Sequence, residues 1–279
     1  MKKLIYILVS ILVIGSLQSA VPAAAPVASA KASKATGELK AEKLSFAYAD
    51  ESGKRLLGFE KKNPKRYVQA VTAPGKILPI KFNKHQKRNE QSTDRQNHYN
   101  FDKDQGELFT VIKGSVPGDE SVLLAEKDAF QGHEFLSYKP SGKGKLTKDV
   151  IRNIEKAKKR KAVSHEVIGQ AGNGVTIGLV VFEKKKGQKP LASLVVASKS
   201  GLLFEDFPGN DDLQSTWRVD DGGEIDASMF KVLFVTKSKV GYALAYEWFG
   251  FEGCSLNVIQ QQGGKFRDIL SNYRYTAPL

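Results

Sequence analysis

Hydrophobic positions along this chain fall mostly in short runs, each closed by charge, glycine or proline. The clearest lie in the C-terminal half. Residues 175–182 are nearly all apolar and rich in β-branched side chains, and Lys184-Lys185-Lys186-Gly187-Gln188-Lys189-Pro190 then breaks the run. Residues 191–197 are apolar again, and Ser200-Gly201 turns the chain into residues 202–207. Runs of this length between turn residues predict strands, and unbroken apolar ones predict strands buried on both faces. Residues 229–235 form the next run. Residues 242–249 alternate, with Tyr242, Leu244, Tyr246 and Trp248 on one face and Ala243, Ala245 and Glu247 on the other. Leu256 and Val258 alternate in turn, and Gly263-Gly264 predicts a hairpin into residues 266–270. Tyr273 and Tyr275 share a face of a terminal extended segment.

The N-terminal half is similar in kind. Residues 44–48, 56–59, 67–71, 77–82, 107–112, 122–124 and 134–138 are candidate strands, several of them separated by turn pairs such as Pro74-Gly75 and Pro117-Gly118. Residues 85–100 are polar throughout and predict a long exposed loop. One segment has helical period. Val150, Ile151, Ile154 and Ala157 make an apolar stripe, Thr147 stands at the N-cap position, Asp149 in the first turn and Lys158-Lys159-Arg160-Lys161 in the last. Gly169-Gln170-Ala171-Gly172-Asn173-Gly174 predicts a turn between that helix and the strand at 175; it precedes no helix, so it cannot cradle phosphate in the usual way. The expected fold is mainly β, in antiparallel meanders and hairpins, with one amphipathic helix near 148–161; α+β is the other reading. The β-rich region at 43–279 is either one sheet system or two subdomains split near 140–165.

The first thirty residues have a different pattern. Met1-Lys2-Lys3 is cationic, residues 4–17 are uncharged and apolar, and Ala28-Ser29-Ala30 has the small-x-small form of a cleavage site. This predicts a signal peptide over 1–30, with an earlier cleavage site after Ala20 as an alternative. A retained anchor is the competing reading, but the apolar run is shorter than the roughly 20 residues that span a bilayer. Residues 31–42 read as a disordered linker. Once the signal is processed, no transmembrane span is expected, and the protein belongs outside the cell, secreted or associated with the cell wall.

Charge then narrows the partners. The chain has 43 bases against 30 acids, a formal +13. Removing residues 1–30 takes away Lys2 and Lys3 and no acid, which leaves +11. An exported cationic protein meets anionic polymers and membrane headgroups. The single cysteine, Cys254, excludes an internal disulfide and, with the lysine-rich composition, suggests a Gram-positive envelope. Lys156, Lys158, Lys159, Arg160 and Lys161 are the candidate polyanion-binding residues. No aromatic residues interleave with them, so no specific nucleic-acid recognition is expected.

The acids concentrate elsewhere. From 205 to 226 there are eight acids and one base, Arg218. Asp220, Asp221, Glu224 and Asp226, spaced by glycines, form a candidate cation site, and calcium is the ion such oxygen-rich loops take. The spacing is not that of an EF-hand. Asp220 to Val235, an acidic loop before a strand, is similar to the Asp/Gly-rich loops of FG-GAP-type propeller repeats, though it occurs once. No other cofactor is indicated.

Catalytic signatures are missing from the sequence. Cys254 and the four histidines (His85, His98, His133, His165) match no cysteine-protease pattern, there is no zinc spacing and no Gly-x-Ser-x-Gly elbow. The leading expectation is therefore a non-enzymatic secreted or envelope-associated protein that binds an anionic wall polymer or membrane surface. The alternatives are a secreted hydrolase using acids of the 220–226 loop and a calcium-stabilised binding module.

Overall fold

Strands that are apolar on both faces need a layer on each side, and the architecture supplies them. The computed structural model describes residues 36–59, 62–141, 144–212, 216–220 and 225–277; the predicted signal peptide and the start of the linker lie outside them. Six strands come first: β1 (Leu44–Ala49), β2 (Arg55–Gly58), β3 (Tyr67–Thr72), β4 (Lys76–Gln86), β5 (Gly106–Val111) and β6 (Ser121–Glu126). They close into an antiparallel barrel in the order β1-β2-β5-β4-β3-β6. Ala47, Leu56, Ala70, Ile80, Phe109 and Leu124 fill its interior. On β1, Ala47 and Ala49 point in while Phe46 and Tyr48 point out, yet all four are buried. The outward residues meet other layers.

The remaining elements are β7 (Glu134–Phe135), β8 (Tyr138–Pro140), α1 (Lys148–Lys158), β9 (Ala162–Ala171), β10 (Val175–Phe182), β11 (Leu191–Ser198), β12 (Gly201–Pro208), β13 (Phe230–Lys237), β14 (Tyr242–Phe249), β15 (Gly253–Gln262) and β16 (Lys265–Tyr275). They build two five-stranded antiparallel sheets, β12-β11-β10-β9-β8 and β16-β15-β14-β13-β7. The two sheets face each other across Ile177, Leu194, Val196, Val232, Leu244 and Tyr246. The outer face of the second sheet, with Phe234, Ala243, Ala245 and Leu256, packs on the barrel through Phe46, Val71 and Leu123. The outer face of the first sheet carries α1: Ile154 is fully buried among Leu146, Val167, Val180, Phe182 and Val195. The order of layers is thus helix, sheet, sheet, barrel. Alternating small and large residues on β14 satisfy both of its neighbours at once.

The mainly β expectation and its single helix agree with this structure. The details differ in five places. The helix stops at Lys158, where Lys159 takes a left-handed conformation (φ 54°), and Ala157 is exposed, outside the buried stripe. Thr147 caps it as expected, accepting from the Val150 N–H. β9 was not expected; the predicted turn shrinks to residues 172–174, between two strands. Two register shifts against β10 break the alternation of β9, and Val163 is 64% exposed, so its sequence lacks a clean period. Residues 134–138, expected as one strand, are split: β7 joins β13 and β8 joins β9. β8 ends in Pro140, which an edge strand tolerates. Residues 85–100 are no free loop, because Asn97 and Asn100 are buried and Gln96 exchanges hydrogen bonds with Tyr275. The described part of the linker, from 36 on, is likewise fixed: Leu39 is buried and its N–H donates to Gln260. The described residues, from 36 on, belong to one compact unit.

Candidate polyanion-binding surface

Strand register decides which charges meet. Val181 pairs with Ala192, Phe182 with Ala162, and Leu191 with Pro208. The C-terminal end of α1, the tip of the β10–β11 hairpin (residues 183–190) and the exit of β12 therefore share one end of the first sheet. Burial of Ile154 fixes the helix on that sheet, and the left-handed Lys159 turns the chain into β9.

The five predicted bases have different fates there. Lys158 is largely covered: its Nζ donates to both oxygens of Asp206 at 2.6 Å and lies over the Phe204 ring at 4.1 Å. Arg160 holds the hairpin, donating from Nη1 to the Lys189 carbonyl at 3.0 Å and from Nη2 to Gln188 Oε1. Lys156, Lys159 and Lys161 project into solvent, and their ammonium groups form no ion pair among the described residues. The hairpin tip adds bases the helix reading missed. Lys185 Nζ donates to the Lys159 carbonyl, closing the two segments together. Lys184 pairs with Asp211 at 2.9 Å. Lys186 and Lys189 are exposed and, like the helix lysines, pair with no described acid. Five ammonium groups from two segments thus stand free, on a frame set by Lys158, Arg160 and Lys185. The signal that would have found them is the triple lysine at a hairpin tip, but only the register shows which helix end it meets.

The acidic loop is arranged otherwise. Asp220 accepts hydrogen bonds from the N–H groups of Phe251 (3.0 Å), Glu252 (2.7 Å) and Gly253 (3.2 Å) and from the Tyr273 hydroxyl (3.2 Å). Burial by itself would raise this carboxyl; the donors of Glu252, Phe251, Tyr273 and Gly253 outweigh it and hold the group below the usual carboxylate range. Gly250 is needed at this contact, since a Cβ there would lie 2.3 Å from an Asp220 carboxylate oxygen. Asp226 serves another element: it caps the single turn before β13, accepting from the Ser228 N–H at 2.8 Å and hydroxyl at 2.6 Å, which lower its carboxyl too. Asp221 and Glu224 lie outside the described residues. Among the described residues no three His, Cys, Asp or Glu side chains come together as a metal cluster. The two describable members of the expected cation site are each committed to a backbone cap.

Cys254 is buried, with Sγ 3.6 Å from Glu247 Oε1. Burial first, then the neighbouring Glu247, push the thiol well above its ordinary range. The four histidines contact other groups: His85 meets Glu107, His98 lies tilted against the Tyr99 ring, His133 meets Thr236 and His165 accepts from the Leu146 N–H. Tyr242 and Tyr246 are core residues and Trp248 stacks on Phe230 at 5.6 Å, so the aromatic row fills the space between the sheets. No helix among the described residues is long and apolar enough to cross a membrane.

No protein-family model, curated protein or solved structure matches this chain.

Proposed function

We propose that the protein acts outside the cytoplasm without catalysing a reaction, holding an anionic cell-wall polymer through the basic end of its first sheet. One observation carries this reading: the helix end with Lys156, Lys159 and Lys161 and the hairpin tip with Lys186 and Lys189 are tied to each other by Arg160 and Lys185, and none of these five lysines pairs with a described acid. Neighbouring cations that repel one another favour a polyanion, whose linked charges neutralise several at once. The contact is electrostatic and solvent-exposed, so its strength falls as the Debye length shrinks, from about 10 Å at 0.1 M salt to about 3 Å at 1 M. The net charge of +11 left without residues 1–30 adds long-range attraction without specifying a site. The alternative of hydrolysis through the 220–226 loop gains no support from Asp220, whose carboxylate already accepts four donors.

Affinity chromatography tests the proposal. The chain lacking residues 1–30 should be retained at low salt on immobilised polyphosphate and on isolated cell walls, and released as salt rises. Replacing Lys159, Lys161, Lys186 and Lys189 together by Gln should release it at markedly lower salt. Removing four of the phosphate contacts should reduce the slope of log affinity against log salt by about 3 to 4. Flow-through of the unmodified protein at low ionic strength, or an unchanged elution position for the variant, refutes it.

A further inference from the structure

The barrel mouth holds a pocket lined by Asn63, Pro64, Lys65, Phe82, His85 and Glu107. On β5, the inward positions are Glu107, Phe109 and Val111; the last two fill the barrel core. Glu107 thus occupies a position that an apolar side chain would suit, and it is 3% exposed. A bulge in β4 between Phe82 and Lys84 brings His85 opposite it, with Nδ1 2.9 Å from Glu107 Oε1. That is the one hydrogen bond the carboxylate makes among the described residues, although a carboxylate has about four acceptor positions. Its second oxygen is not among the buried atoms left without a partner, so it opens to the pocket, where its free acceptor positions can take donors. The pocket is where further donors can reach it.

The lining restricts what those donors belong to. Glu107 at the floor disfavours an anion, and Lys65 at the rim disfavours a cation. Asn63, held in a left-handed conformation (φ 45°) at the start of a turn over Pro64–Arg66, offers both a donor and an acceptor. Phe82, half-buried and edge-on to Phe109 at 5.6 Å, supplies an apolar wall. A neutral ring with several hydroxyl groups and an apolar C–H face meets all of these conditions at once. We infer that the barrel mouth binds a single saccharide ring. Glu107 accepts from its hydroxyls, Lys65 and Asn63 donate to it, Phe82 packs on its C–H face, and His85 positions the carboxylate. This site belongs to the barrel and does not depend on the basic end of the first sheet.

Saturation-transfer NMR and calorimetry on the chain lacking residues 1–30 test the inference, with glucose, galactose, mannose, N-acetylglucosamine and N-acetylmuramic acid as probes. At least one neutral sugar should bind saturably and shift the His85 ring resonances in the unmodified protein. The charged N-acetylmuramic acid should bind more weakly than its neutral counterpart, N-acetylglucosamine. Glu107→Gln should weaken the sugar by about tenfold or more, the loss expected for a hydrogen bond to a charged group, while retention on polyphosphate is unchanged. Phe82→Ala, which leaves the carboxylate in place, should weaken it as well. The inference is overturned if no neutral sugar shifts His85, so that water alone occupies the pocket, or if binding survives both substitutions.

Discussion

Replacing Glu205 by Gln should make the protein more stable at alkaline pH and leave it nearly unchanged at pH 4. Glu205 lies on β12, where the edge of the first sheet approaches β16 of the second. Burial, then the negative charges of Asp268 and Asp206, raise its carboxyl to about 7; Lys158 opposes them. The sign follows from proton binding. Between the ordinary value near 4.5 and about 7, the folded chain keeps a proton the unfolded chain has lost, so stability falls as pH rises through that window and levels off above it. The full shift corresponds to about 3 kcal/mol at 1.36 kcal/mol per unit. Glu205 is only partly buried, and solvent screening reduces this to about 1–2 kcal/mol. Urea denaturation of both proteins at pH 4 and pH 8 isolates the effect, because titrations of groups that do not interact with Glu205 cancel in the difference between them. The glutamine chain should gain about 1–2 kcal/mol relative to the parent on going from pH 4 to pH 8, or about 2–8 °C in melting temperature. A difference independent of pH would show that the Glu205 carboxyl is not perturbed by its place between the sheets.

Two further outcomes concern Asp220 and Cys254. Asp220→Ala frees three N–H groups and the Tyr273 hydroxyl and should cost about 2 kcal/mol; hydrogen exchange should quicken at Phe251, Glu252 and Gly253 first, and equal melting curves would contradict the pinning role. Cys254, buried beside Glu247, should resist a thiol reagent in the native chain and react fully in urea, whereas rapid native labelling would place the thiol elsewhere.

Legibility in the sequence followed locality. β10, β11, β13 and β14 could be read because each is apolar on both sides and bounded by turns, and the Gly263-Gly264 hairpin because Gly263 takes the left-handed conformation (φ 61°) such loops need. β9 could not, since its bulges shift the inward face midway along the strand and no simple period survives. The polar stretch 85–100 misled for a related reason. Polarity marks exposure only when the polar groups lack protein partners, and here Asn97 donates to the Thr276 carbonyl and Asn100 to the Arg95 carbonyl. Closure of the barrel leaves no local trace, because it depends on β1 pairing with β6 across the length of the first half.

The candidate sites obey the same rule. The lysines ending α1 form a run that any scan detects, yet a run alone does not distinguish a solvated helix end from a binding face. What distinguishes them is the second cationic segment, brought alongside by the pairing of β10 with both β9 and β11, and the conversion of Lys158, Arg160 and Lys185 into supports that hold the free lysines in place. The acidic loop shows the converse. Its carboxylates are close in sequence, which suggested one ion, but Asp220 and Asp226 face different elements: Asp220 accepts backbone N–H groups on both oxygens, and Asp226 accepts the Ser228 N–H and hydroxyl on one. Proximity along the chain grouped Asp220 and Asp226, which the fold ties to different elements, while register brought side by side two cationic segments that are apart in the chain. Glu107 and His85 belong with the second kind: 22 residues apart, they meet only because a single extra residue in β4 shifts the register of one barrel strand.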